Sequence, residues 1–261
     1  MTADDAMLKA VIWDVDGTIA ETERDGHCVA FNQAFAEAGL ALRWDEQRYG
    51  VLLTVAGGCE RLVADIETWP DAPDDADGRR ALARSLHARK NAAYVAVVAQ
   101  GGLRARPGVQ RMVQECAAAG VRMAVATTTG RANVDALFPL LFGSDWQHLF
   151  EVCICAEDAP AKKPDPQAYV LALQRLGLSA HQALAVEDSP NGVQAARGAG
   201  LAVLVTRSEY FFDADFGGAA AVVDDLGAID LVALRRLHAQ AVGASGTSGT
   251  SGTSGISAER S

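Results

Sequence analysis

Two aspartates stand two residues apart in Asp14-Val15-Asp16-Gly17-Thr18, directly after an apolar run at residues 8–13. In an extended chain the side chains of i and i+2 point to one side, so the two carboxylates share a neighbourhood. Like charges so placed raise each other's pKa, and keeping both ionised calls for a compensating cation. Such a pair could share a divalent ion, with one oxygen free to attack an electrophile and another to manage a proton. The plain alternative is an ordinary strand-to-turn Asp-Gly sequence.

Three further turns carry residue types suited to phosphoryl chemistry. Thr127-Thr128-Thr129-Gly130 follows an apolar run at 121–126 and precedes a helical stretch. Hydroxyls and backbone amides at the positive end of a helix make a phosphate cradle; simple helix capping by threonine is the alternative. In Lys162-Lys163-Pro164-Asp165-Pro166 the proline keeps the preceding lysine out of helical geometry. An ammonium fixed beside two carboxylates could hold a nucleophile ionised and neutralise transferred phosphoryl charge, although a solvated basic turn has the same composition. Glu187-Asp188-Ser189-Pro190-Asn191-Gly192 follows an apolar run at 183–186. Its acids are the hard oxygen ligands that Mg2+ prefers, yet as a helix N-cap Asp188 needs no metal.

The elements that must position these turns are legible as punctuation. Buried strands are expected at 8–13, 121–126, 152–156, 183–186 and 201–205. Helical patterns at 107–119, 166–176 and 190–199 begin at Pro107, Pro166 and Pro190 and stop at Gly120, Gly177 and Gly200. Strands alternating with helices, each strand continuously apolar, imply a parallel sheet covered on both faces. Ligands of such sheets bind at the carboxyl edges of the strands, where every motif above falls. Residues 20–102 break the rhythm and read as an all-helical insert, with helices at 27–38 and 78–98 and an acidic turn at 69–78. The expected organisation is therefore an α/β core of residues 1–19 plus 103–241, a helical domain at 20–102, and a flexible Gly/Thr/Ser tail at 242–261.

The chain has 261 residues, 33 acidic and 23 basic, for a formal charge of −10. That balance argues against a nonspecific nucleic-acid or anionic-membrane binder. No apolar run approaches the ~20 residues of a membrane span. The start MTADDAML has neither a basic region nor an apolar stretch, so a cytoplasmic location is expected. Cys28, Cys59, Cys116, Cys153 and Cys155 are an odd, scattered set, read as free thiols rather than as a disulfide framework or metal site. No obligate protein partner is evident.

Taken in order, acid pair, hydroxyl turn, Lys-Pro and second acid pair resemble the haloacid dehalogenase (HAD) superfamily over residues 7 to about 240. That resemblance implies a Rossmann-like core with an inserted cap, and Mg2+-dependent chemistry through an aspartyl-phosphate. It makes Asp14 the nucleophile and a metal ligand. Asp16 becomes the general acid and then base, and binds the metal through its backbone carbonyl. Thr127 and Lys163 hold the phosphoryl group, with Thr128 and Thr129 in the same turn. Asp188 completes the metal site, with Glu187 supporting it or also binding. Asp16 and Thr18 fit phosphatases and mutases better than dehalogenases.

The insert is similar to that of CbbY-type sugar-phosphate phosphatases, relatives of β-phosphoglucomutase, in Ala20-Glu21-Thr22-Glu23-Arg24-Asp25-Gly26-His27, Ala30-Phe31-Asn32 and Trp44-Asp45. The similarity implies a small phosphorylated sugar as substrate, such as the ketose bisphosphate xylulose-1,5-bisphosphate. Glu21 and His27 would contact sugar hydroxyls, and Arg43 or Arg61 the distal phosphate. In Gly57-Gly58-Cys59-Glu60-Arg61, Gly58 and Arg61 match the CbbY pattern, while Cys59 stands where that pattern has lysine. A lost charged hydrogen bond there costs about 1.5–3 kcal/mol of binding to a second phosphate. The alternatives are a β-phosphoglucomutase-like phosphomutase and a non-catalytic binding protein of the same fold.

Overall fold

Runs apolar at every position suit strands buried on both faces, because alternate side chains enter opposite layers. In the computed structural model, which describes residues 7–247, these runs pair as one parallel sheet. Its strands are β1 (Ala10–Trp13), β2 (Arg122–Ala126), β3 (Val152–Ile154), β4 (Ala183–Glu187), β5 (Ala202–Thr206) and β6 (Ala221–Val223), in the order β3-β2-β1-β4-β5-β6. Val11 and Trp13 of β1 face one apolar layer with Val125, Val186 and Leu204. Ala10 and Ile12 face the other with Ala126, Ala185 and Val205. Helices α5 (Val109–Ala118), α6 (Arg131–Phe142) and α9 (Leu231–Thr247) cover the first layer; α7 (Gln167–Leu176) and α8 (Pro190–Gly198) cover the second. β6 is an addition to the five strands that the sequence predicts, since three half-buried residues give little periodic signal.

The chain leaves β1 for the insert and returns to build strands on both sides of it. Trp13 lies opposite Val125 of β2 and Val186 of β4. That register aligns the carboxyl ends of the three strands, so the segments after Trp13, Ala126 and Glu187 converge at the point where the strand order reverses.

The insert is helical, as expected: α1 (Val29–Glu37), α2 (Glu46–Leu52), α3 (Gly58–Ile66) and the long α4 (Ala76–Ala99). Its own core is aromatic, with Phe31, Phe35, Trp44 and Tyr49 buried together. A widened, π-helical turn at Glu23–Cys28 precedes α1, where an ordinary helix start was expected from residue 27; such turns recur at functional sites. The two chain crossings are tied by a bridge between Ala20 and Ala105. Helix α9 runs to Thr247, beyond the expected tail boundary at 242; the rest of the Gly/Thr/Ser tail and the first six residues lie outside the described residues. All five cysteines are free. No helix among the described residues is long and apolar enough to cross a membrane.

Candidate active site

Asp14 follows the last residue of β1, its N–H donating to the carbonyl of Val186 at 3.0 Å, and its carboxylate is buried. Lys163 reaches it from the loop before α7. Its Nζ donates to Asp14 Oδ1 at 2.5 Å and to Glu187 Oε1 at 2.6 Å. The Lys163–Pro164 peptide is cis. Tyr169 on α7 donates its hydroxyl to the same Glu187 oxygen at 2.5 Å, with its ring 5.1 Å beneath the ammonium. Glu187 Oε2 accepts the N–H of Asp188 at 3.1 Å. Glu187 is thus engaged by three donors, and in this arrangement it orients Lys163.

Asp14, Glu187 and Asp188 each offer an oxygen within 4.8 Å of the others, all buried. Burial pushes the Asp14 carboxyl up to about 7 against the pull of Lys163, and pushes Asp188 well above the usual carboxylate range. Asp14 and Glu187 deepen the shift at Asp188. With one ammonium between them, three buried acids leave an excess of negative charge, which a divalent cation on Asp14 and Asp188 would offset. The donor set, all hard oxygens, fits Mg2+. Gly17 makes room for this cluster: at φ +81° its Cβ would stand 2.1 Å from Asp188 Oδ2, so a side chain is excluded twice over.

Asp16 has different company. Its Oδ1 accepts the Thr22 hydroxyl at 2.5 Å and meets His27 Nε2 at 2.9 Å. Burial raises this carboxyl, but His27 and Thr22 outweigh it and hold Asp16 down to about 2. The imidazole stacks on Tyr94, centroids 4.2 Å apart. The two aspartates of the first motif therefore sit in opposite electrostatic settings, one pushed up by burial and one held ionised.

The threonine turn closes the site. Thr127 Oγ1 accepts the N–H of Thr129 at 3.1 Å, and Thr129 Oγ1 accepts Asn133 Nδ2 at 3.0 Å. These bonds order the turn ahead of α6. Thr128 is left facing the cavity that also meets Asp14, Asp16, Arg61, Lys163 and Asp188. An adjoining cavity of about 330 Å3 extends under the cap, walled by His27, Gly58, Cys59, Arg61 and Thr129.

Two expected substrate contacts are not brought there. Arg43 is exposed on the far side of the cap, because its neighbour Trp44 takes the inward position against Phe31 and Phe35. Glu21 sits at the cap–core crossing, paired with Arg106 Nε at 3.1 Å. His27 lines the cap cavity, but its Nε2 is turned to Asp16.

Other wall residues have no role assigned from the sequence. Glu23, His87, Lys90 and Lys162 all face the larger cavity. Lys90 is 4% exposed and lies 5.2 Å over Phe31 and 5.3 Å over Tyr94. Its signal is in the sequence: it stands four residues from both Leu86 and Tyr94, a basic residue in an otherwise apolar helical stripe. Burial lowers its ammonium from the ordinary 10.5 to about 8.

A parallel sheet with paired acids at its central strand end, a fixed lysine and a hydroxyl turn defines a capped α/β hydrolase with a carboxylate centre. The haloacid dehalogenase-like hydrolase family matches residues 8–200, and the chain belongs to that family. It is 44% identical over 223 residues to protein CbbY of Cupriavidus necator, covering 84% of this chain and 86% of that one. It is 42% identical over 230 residues to CbbY of Rhodobacter capsulatus, covering 88% and 99%. The crystal structure of CbbY from Rhodobacter sphaeroides in complex with phosphate superposes with a TM-score of 0.81 at 37% identity, covering 87% of this chain and 99% of that one. An Asp-to-Asn variant of the same protein, solved with xylulose-(1,5)bisphosphate, superposes equally well. A β-phosphoglucomutase from Clostridium difficile shares the fold at 17% identity and a TM-score of 0.74.

Proposed function

We propose that this protein is a cytoplasmic, Mg2+-dependent phosphatase that hydrolyses a small phosphorylated sugar through a phosphoryl group carried on Asp14. The observation that carries the reading is the buried Asp14–Lys163–Glu187 contact at the end of the central strand. In it a carboxylate is held in place by an ammonium whose own position is fixed by a second carboxylate and a tyrosine. Asp14, Asp188 and the backbone carbonyl of Asp16 would hold Mg2+, which when bound supplies charge neutralisation for an anionic phosphoester meeting an anionic nucleophile.

A carboxylate oxygen of Asp14 attacks phosphorus, and the bond from phosphorus to the sugar oxygen breaks. Asp16 gives that leaving oxygen its proton. Held ionised by His27 in the free site, Asp16 takes up this proton from solvent as the dianionic phosphate arrives beside it and raises its pKa. In the second half, Asp16 accepts a proton from water as the water oxygen attacks phosphorus, and the Asp14–phosphorus bond breaks to release phosphate. Lys163 and the amides of the threonine turn hold the transferred oxygens throughout.

The larger cavity supports a substrate with a second anionic end. Arg61, Lys90 and Lys162 line it, which makes a ketose bisphosphate of the xylulose-1,5-bisphosphate type our reading despite Cys59. A panel of sugar mono- and bisphosphates, assayed for released inorganic phosphate with and without Mg2+, tests the proposal. Release from a bisphosphate only with Mg2+ is expected. Interconversion of a glucose phosphate without release would contradict it and favour a mutase.

A further inference from the structure

Tyr210 belongs to the core, in the segment after β5, yet its ring packs on the cap. It meets Tyr49 edge to face, with centroids 5.8 Å apart and planes at 65°. Helix α2 makes a seat for it at Gly50. Glycine inside a helix is unfavourable relative to alanine, and here a Cβ would stand 3.0 Å from Tyr210 Cδ1 and 3.3 Å from Cε1. The Tyr210 hydroxyl is buried with no hydrogen-bond partner among the described residues, so the contact is made by the ring.

Tyr49 passes this contact on to the cavity. Its hydroxyl donates to Glu23 Oε2 at 2.5 Å and accepts from Arg61 Nη1 at 3.0 Å, with the guanidinium 5.2 Å over the Tyr49 ring. Glu23 and Arg61 both face the cavity that holds Asp14 and Asp16. On either side of the seat the core also grips the cap: Arg24 pairs with Glu209, and Asn191 Nδ2 donates to the Thr54 carbonyl at 3.2 Å. The next residue, Phe211, packs against both the core and the cap clusters and walls the same cavity.

We propose that Tyr210 is a positioning residue: seated at Gly50, it fixes Tyr49, and through Tyr49 the Glu23–Arg61 pair that meets the substrate end remote from the transferred phosphate. The selectivity of the cap is thereby set partly from the core. The inference rests on the sugar-phosphate reading above.

Its test is calorimetric binding to the Asp14→Asn protein with Mg2+, using xylulose-1,5-bisphosphate and, separately, inorganic phosphate. Tyr210→Ala should weaken the bisphosphate about tenfold, the scale of a lost aromatic pair and the groups it orients, and leave inorganic phosphate unchanged. Tyr210→Phe should retain both affinities. Gly50→Ala should weaken the bisphosphate by crowding the ring off its seat, with inorganic phosphate binding retained to show that the variant is folded. Equal weakening of both ligands by Tyr210→Ala, or no weakening of either, would overturn the inference. The phosphatase reading fails by a different result, the absence of phosphate release by the unmodified enzyme.

Discussion

Replacing Lys163 with alanine removes the ammonium that sits between Asp14 and Glu187, both within 2.6 Å of it. Hydrogen bonds to charged groups are worth about 1.5–3 kcal/mol each, and breaking a buried ion pair from one side costs about 3–5 kcal/mol. Part of that cost falls on the ground state, where burial already pushes Asp14 up to about 7. The part felt by catalysis is the lost compensation of charge on the transferred phosphoryl group. Loss of one such donor typically removes about 2.7–4 kcal/mol of transition-state stabilisation, or 10²- to 10³-fold in turnover. The measurement is phosphate release at saturating substrate and Mg2+, with far-UV circular dichroism and melting to establish that the variant is folded. Turnover within about threefold of the parent enzyme, far short of that 10²-fold minimum, would refute the role given to the lysine.

Further outcomes follow from the same geometry. Cys59 walls the cap cavity, so Cys59→Lys should tighten a bisphosphate by about 1.5–3 kcal/mol, roughly ten- to a hundredfold or somewhat more. A monophosphate should be unaffected, and a flat response by both means position 59 does not reach the second phosphate. Lys90 loses its proton near pH 8 against an ordinary 10.5. For a bisphosphate, kcat/KM should therefore fall above pH 8, and Lys90→Met should abolish that limb. Between about 8 and 10.5 the unfolded chain binds the extra proton, so this group makes stability rise with pH, and melting curves will separate the decline from unfolding. Gly17→Ala, which forces a Cβ to 2.1 Å from Asp188 Oδ2 at positive φ, should cost about 1–3 kcal/mol in stability. A melting temperature unchanged in that variant would show that the loop has room the structure does not.

The core was legible because its signals are local. Each candidate turn follows an apolar run and precedes a helix bounded by proline or glycine, so the order of elements predicts Asp14, Thr127, Lys163 and Asp188 at one sheet edge. The cap was legible as helices but not as a wall. Glu23, His87 and Lys90 come from the widened turn and α4 and meet only after the helices pack. Arg43 faces away from the cavity for a related reason: in a short extended segment, adjacent residues face opposite ways, and Trp44 has the stronger claim to the interior. Glu21 illustrates a different limit, because its partner Arg106 lies at the other chain crossing and no spacing connects them. The same holds for Tyr210, whose role depends on a glycine in a helix that nothing nearby in sequence explains.

If Asp14 carries the phosphoryl group in turnover, rapid acid quench during hydrolysis of a sugar phosphate, followed by mass spectrometry of the peptides, will trap it. The expected result is one added phosphoryl group on the peptide containing Asp14, lost on treatment with hydroxylamine and absent in Asp14→Asn. Undiminished turnover in Asp14→Asn, or a phosphoryl group found on another residue, would contradict it.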